Sequence, residues 1–383
     1  MSTPYAAELA LALRTIHTAS LLTKSVLRTL QNNVSAETKA DDSPVTIADF
    51  AAQAVIISAL HAVYPDDKFI GEESADALRA NGGLAERVWD LVLQARELSS
   101  AVASASGDLQ HVQGHEGPQG TTTLTFPASK TEMLDVIDLG TSTSTKNGRV
   151  WVLDPVDGTA TFMEGKQYAV CLCLLVDGVQ QVGVIGCPNL AFDVHGPLGQ
   201  SKIHEDLVDQ AGYGVVLSAV KGHGTYVRSM HESSLAEPRR ISLDQVQPKD
   251  WSALDFVEAT IGKTSLLQPE HRTVAETLGT KWPGTVIWSQ QMKYVALTLG
   301  ATDVMVRLPK GKERFTFTWD HAGGQILFQE AGGVIKDLDG GDIDLGQGRK
   351  IEGDVNFGMV AARPWAFTRV HRAVKEVLER RTR

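Results

Sequence analysis

The sequence has 383 residues, 43% of them apolar, and a formal net charge of -10. That length suits two domains at about 150 residues each, and the composition is too apolar for a chain disordered throughout. The acidic balance disfavours nucleic acid polymers as partners, and no apolar run approaches the roughly 20 residues of a membrane span.

In chain order, the first 30 residues carry polar side chains at helical intervals and lack a basic start, so they predict an amphipathic helix and not a signal peptide. A polar loop follows at 32–44. "VTIADFAAQAVIISALHAVYP" predicts a helix closed by Pro65, and "KFIGEES" a short strand running into polar residues. Residues 103–124 show no period and predict a surface excursion. "GRVWVLD" predicts a strand. "YAVCLCLLVDGVQQVGVIGCP" predicts a hairpin turning at Asp177-Gly178, the strongest short-range hairpin signal. "GYGVVLSAVKGHGTYV" predicts another. The stretch 242–251 is the candidate linker. Beyond it, short strands ("LDFVEA", "TVIW", "TDVMVRL") alternate with the helical patterns "KYVALTLG" and "DHAGGQILFQEAGG", and a last helix closes the chain. The pattern predicts two domains, an α+β unit over 1–245 and an α/β unit over 246–383. Cys171, Cys173 and Cys187 lie in apolar strand-like sequence. Their odd count and placement fit buried thiols and a reducing, cytoplasmic setting.

Three acidic clusters fall at strand ends or helix starts: Glu72-Glu73, Asp154 with Asp157, and Asp320. Taken singly, such residues are usually N-caps or surface charges. Together they form an oxygen-only donor set, which fits a hard cation, chiefly magnesium. Pro155 bends the backbone after its strand, so the Val156 carbonyl can share the space of the two aspartates. Gly158 and Thr159 follow and can open a helix whose free N–H groups suit a phosphate. An aspartyl nucleophile is the rival reading, but that chemistry uses an i, i+2 aspartate pair. Here the spacing is i, i+3 with a proline between.

"FIGEES", "WVLDPVDGTATF" and "TWDHAGGQILFQEAGG" resemble the three signature segments of the inositol monophosphatase superfamily. Within it the chain is most similar to fungal and plant 3'(2'),5'-bisphosphate nucleotidases, over about residues 5–365. The resemblance implies a layered α-β-α-β-α sandwich of two domains with the site between them, and a magnesium-dependent, lithium-sensitive phosphatase using two or three ions. It implies Glu72, Asp154, the carbonyl of Val156, Asp157 and Asp320 as metal ligands. Asp49 and Thr159 become the pair that positions and deprotonates the attacking water, with Glu73 assisting. Gly158, Thr159, Lys263, Lys293, Arg307 and Asp320 become substrate-binding residues. The implied partner is a phosphorylated small molecule, a nucleotide first of all, bound by a monomer or homodimer.

The sequence departs from that subfamily at Ala160, at Gln290 where a serine is usual, and over 264–271. Three functions therefore compete: hydrolysis of the 3'-phosphate of adenosine 3',5'-bisphosphate and of its sulfated precursor, a diverged paralogue acting on another phosphorylated molecule, and a non-catalytic binding protein. His204 and His223 carry no expected role, His321 beside Asp320 reads as a packing residue at a helix start, and Trp151 and Trp319 read as core residues behind the key aspartates. Gly323 and Gly324, costly inside a helix, imply close backbone approach.

Overall fold

A computed structural model describes residues 3–30, 37–38, 44–45, 47–106, 123–259 and 266–381. The expected loop at 32–44 falls mostly outside these residues, as do the excursion beyond Ser106 and Lys263. The first part of the chain runs α1 (Ala6–Leu30), β1 (Glu37–Thr38), β2 (Pro44–Val45), α2 (Ile47–His61), β3 (Lys68–Gly71), α3 (Asp76–Ala80), α4 (Gly82–Ser106) and α5 (Lys130–Leu139). It continues through β4 (Arg149–Asp157), α6 (Thr159–Met163), β5 (Ala169–Val176), β6 (Val179–Cys187), β7 (Val215–Val220), β8 (Gly224–Ser229) and β9 (Arg239–Ile241). The second part runs β10 (Val257–Glu258), α7 (Gln268–Leu278), β11 (Thr285–Val286), α8 (Gln290–Thr298), β12 (Val304–Arg307) and β13 (Phe315–Phe317). It ends with α9 (Ala322–Glu330), β14 (Val334–Lys336), β15 (Lys350–Glu352), β16 (Met359–Ala362) and α10 (Pro364–Arg381).

Seven strands, β3 to β9 in sequential order, form one sheet in which only β3 and β4 pair in parallel. Both of its faces are covered, and the period-two alternation of β5 shows how. Val170, Leu172 and Leu174 join the core beneath α1 and α2. Cys171, Cys173 and Leu175 point the other way, into the core shared with α8 and α9. All three cysteines are free and buried, as their apolar setting predicts.

A second, three-stranded antiparallel sheet in the order β12-β16-β14 lies beyond α8 and α9. Its outer face packs on α7 and α10 through Val304, Val306, Val360, Ala362, Val370 and Val374. The layers are therefore helix, sheet, helix, sheet, helix. Gly324 lets α8 and α9 touch, because a Cβ there would lie 2.5 Å from Tyr294 Cδ2 and 2.6 Å from Gln291 Oε1.

Two expectations change in detail. The stretch 242–251 is no loose connection. Leu243–Gln245 forms a 3-10 turn, Leu243 and Val246 are buried, and the Leu243 N–H donates to the Ala331 carbonyl at 2.8 Å. The apolar pattern of that segment outweighs its Gln, Pro and Lys content. Asp320 does not open a helix either. It ends the 3-10 turn Thr318–Asp320, and α9 begins at Ala322.

Candidate active site

β4 carries the first two aspartates. In a regular strand, residues three apart face opposite sides. Asp154 and Asp157 nevertheless reach the same site, because the β4–β5 register shifts between them. Pro155 cannot donate to the ladder, and the resulting irregularity turns Asp157 back toward the face of Val150 and Val152. Ligand atoms of Asp154, Asp157 and Asp320 lie within 4.8 Å of one another.

Each of these carboxyls is held above its ordinary range, chiefly by burial. For Asp154 the charges of Glu72, Asp157, Asp320 and Asp49 add to the effect, and the shift is large. Asp320 is pushed up to about 7 by burial, then by Asp157 and Glu72, with Arg307 opposing. Asp157 is raised by burial, but hydrogen bonds from Ser289 and Gln291 and the charge of Lys293 hold it back. Asp154 Oδ1 is buried and has no hydrogen-bond partner among the described residues. Buried carboxylates crowded this closely repel one another. An oxygen-only cluster with an orphaned buried oxygen suits a hard divalent cation.

Asp157 is also a structural joint. Its carboxylate accepts from Ser289 Oγ, from the Gln291 N–H at 2.5 Å and from the Gln290 N–H at 3.3 Å. Ser289 caps α8, its Oγ accepting from the Met292 N–H at 3.0 Å. The first part of the chain thus places a carboxylate on the N-terminus of a helix from the second. Gly158 permits the contact. Its φ is +95°, and an added Cβ would lie 3.0 Å from Ser289 Cβ.

The Thr159 hydroxyl donates to the Val156 carbonyl at 3.2 Å. Asp49 is fully buried on α2, and Glu73 is buried as well. Gln53, also on α2, brackets the Glu73 backbone, accepting from its N–H at 3.0 Å and donating to its carbonyl at 2.8 Å. Arg349 donates to the carbonyls of Gly71 and Gly140 at 2.9 Å each while its guanidinium sits 4.7 Å from the Trp319 ring centre. It thereby ties the strand end before Glu72 to the residue before Asp320.

The cations stand beside this cluster. Lys293 is buried and pushed down to about 8 by burial and by Arg307. Arg307 donates to Gln290 Oε1 at 2.5 Å and to Thr316 Oγ1 at 3.3 Å. Thr316 also bonds His321 Nε2 at 2.8 Å, and Tyr294 OH meets His321 Nδ1 at 2.9 Å. His321 is fully buried, and burial lowers its pKa well below the usual value. It is a neutral support behind Asp320, in keeping with the packing expected of it. His204 and His223 are exposed.

Of the residues expected at the site, the structure brings Asp154, Asp157 and Asp320 into one cluster with Glu72 and Asp49 near enough to shift Asp154. Gln53, Ser289, Gln291, Thr316 and Arg349 were not foreseen. Ser289 alone had a legible signal, a serine a few residues ahead of the helical pattern that starts at Lys293.

The fold is a layered α/β sandwich with an acidic cluster that could hold a metal ion. Residues 7–91 and 121–374 match the Inositol monophosphatase family, to which the chain belongs. It is 37% identical to a 3'(2'),5'-bisphosphate nucleotidase of Schizosaccharomyces pombe, covering 97% of this chain and 96% of the relative. It is 37% identical to another of that name from Emericella nidulans, covering 98% of each. An IMPase structure from Thermotoga maritima superposes with a TM-score of 0.55 at 15% identity over 98% of this chain and 99% of its own, which speaks to the fold. The family is metal-dependent, and no helix among the described residues is long and apolar enough to cross a membrane.

Proposed function

We propose that the chain is a magnesium-dependent phosphomonoesterase that removes the 3'-phosphate of adenosine 3',5'-bisphosphate, and of its sulfated precursor. The observation that carries this reading is the adjacency of the three-carboxylate cluster to the buried Lys293 and the half-buried Arg307. A cation-filled acidic centre suits the phosphoryl group that reacts, and a neighbouring cation pair suits a second anionic group. The names of the relatives in fission yeast and Emericella support the same substrate.

In this reading Glu72, Asp154, the Val156 carbonyl, Asp157 and Asp320 hold two or three magnesium ions. Bound there, magnesium supplies charge neutralisation and brings the pKa of a water toward neutrality. Thr159, whose hydroxyl donates to the Val156 carbonyl in this structure, would turn that proton to the Asp49 carboxylate as its oxygen takes one from the attacking water. Asp49 would thus end with the proton, and Glu73 would assist through water. Lys293 and Arg307 hold the second anionic group.

The second reading, a paralogue acting on another phosphorylated molecule, is favoured by one observation. Gln290 stands against both cations. Release of inorganic phosphate from adenosine 3',5'-bisphosphate, with and without magnesium, decides the first reading. Magnesium-dependent release supports it, and no release at micromolar enzyme would sink it. Preference for a non-nucleotide in a parallel substrate panel supports the second.

A further inference from the structure

Gln290 lies at the start of α8 and is buried, with 7% of its surface exposed. Its Oε1 accepts from Arg307 at 2.5 Å and lies 3.5 Å from Lys293 Nζ, while its Nε2 faces Met305 Sδ at 3.2 Å. Guanidinium and ammonium groups have donors and no acceptor. The amide must therefore present its carbonyl oxygen to them. Two cations held close in a buried place are bridged by a neutral dipole where an anion would gain most.

We propose that the Gln290 carboxamide occupies the seat of the substrate's second anionic group and acts as a selectivity residue, weakening every ligand that must displace it. This inference rests on the proposed phosphatase reading and deepens it. A phosphate or sulfate reaching Arg307 and Lys293 must first move the amide aside, losing its bond to Arg307. A monophosphate that reacts at the acidic centre alone makes no such demand. The backbone role of Gln290 is separate, since its N–H donates to Asp157 whatever side chain is present.

The test uses the full chain as wild type, Gln290→Ala and Gln290→Glu, in saturating magnesium. KM is measured for adenosine 3',5'-bisphosphate and for adenosine 3'-monophosphate. Calorimetric titration with adenosine 5'-monophosphate and with adenosine adds a readout that needs no turnover. In Gln290→Ala the ratio of monophosphate KM to bisphosphate KM should rise about 10-fold, the low end for a charge-assisted hydrogen bond. Adenosine 5'-monophosphate should bind correspondingly tighter relative to adenosine. Gln290→Glu places a permanent anion between the cations without changing side-chain size, and should shift both readouts the other way. A bisphosphate KM that rises in Gln290→Ala would make Gln290 a direct substrate contact and overturn the proposal. So would ratios that stay within about twofold in both variants. If the wild type hydrolyses neither nucleotide, the substrate reading fails, and the calorimetric arm alone decides the role of Gln290.

Discussion

Asp154 and Asp303 are both buried aspartates at the edge of a strand, and their surroundings are opposites. Asp303, before β12, is fully enclosed. It accepts from Arg363 and from Lys249 at 2.9 Å each and from the Asp255 N–H at 3.0 Å. Arg363 in turn donates to the Val246 and Gln247 carbonyls, so the network pins the 242–251 connection to the second sheet. Asp154, at the end of β4, is surrounded by other carboxylates and keeps an oxygen with no hydrogen-bond partner among the described residues. One site uses protein cations to complete a buried charge. The other leaves that to something the chain does not encode. In the proposed reading the difference separates a carboxylate that supports the fold from one that supports a reaction, and substitution at each should have opposite consequences.

The largest effect is expected on turnover at the acidic centre. Asp154→Asn should bring phosphate release down to the buffer background while the circular dichroism spectrum stays that of the wild type. Thr159→Ala should lower kcat by about 10²–10⁴-fold, the range for a group that manages the attacking water's proton. Calorimetry should then show magnesium affinity nearly unchanged, because the hydroxyl brings no charge to the ion. Asp303→Ala reverses the pattern. It strands Arg363, so urea unfolding should show a loss of about 3–5 kcal/mol, with kcat of the remaining folded enzyme close to wild type. Arg307→Ala is the smallest of the four. It should raise the bisphosphate KM by about 10- to 150-fold and change the adenosine 3'-monophosphate KM little. Equal increases for both substrates would remove Arg307 from recognition of the second anionic group.

Much of the acidic centre was legible because it sits in contiguous segments. A polar break after an apolar strand marks Glu72, Asp154 and Asp157 in the sequence itself, and strands alternating with helical patterns predict an α/β second part, while the full five-layer sandwich follows only from the family resemblance. The supports were not legible. The register shift at Pro155, which makes an i, i+3 pair converge, is visible only once β4 is paired with β5. Asp157 reads from sequence as a metal ligand alone. In the fold it is also the joint on α8, so Asp157→Asn, keeping its oxygen toward Ser289 and Gln291, would set an amide N–H against the Gln290 N–H and lower stability. Gln53 and Arg349 act through backbone carbonyls and N–H groups that no side-chain motif records. Gln290 was visible as a departure at one position. Its meaning depends on Arg307, 17 residues away, which only the packing of α8 on β12 brings into contact.

Melting of wild type and Asp154→Asn, each in chelator and in excess magnesium, tests most directly the claim that the acidic cluster is an incomplete cation site. Deleting one of several mutually repelling buried charges relieves the apo protein, whereas a ligand that binds only the folded state raises the melting temperature by mass action. Asp154→Asn in chelator should melt at or above the wild type. Magnesium should raise the wild-type melting temperature by several degrees and that of the variant by much less. A variant that melts well below the wild type in chelator, yet gains as much from magnesium, would contradict that claim.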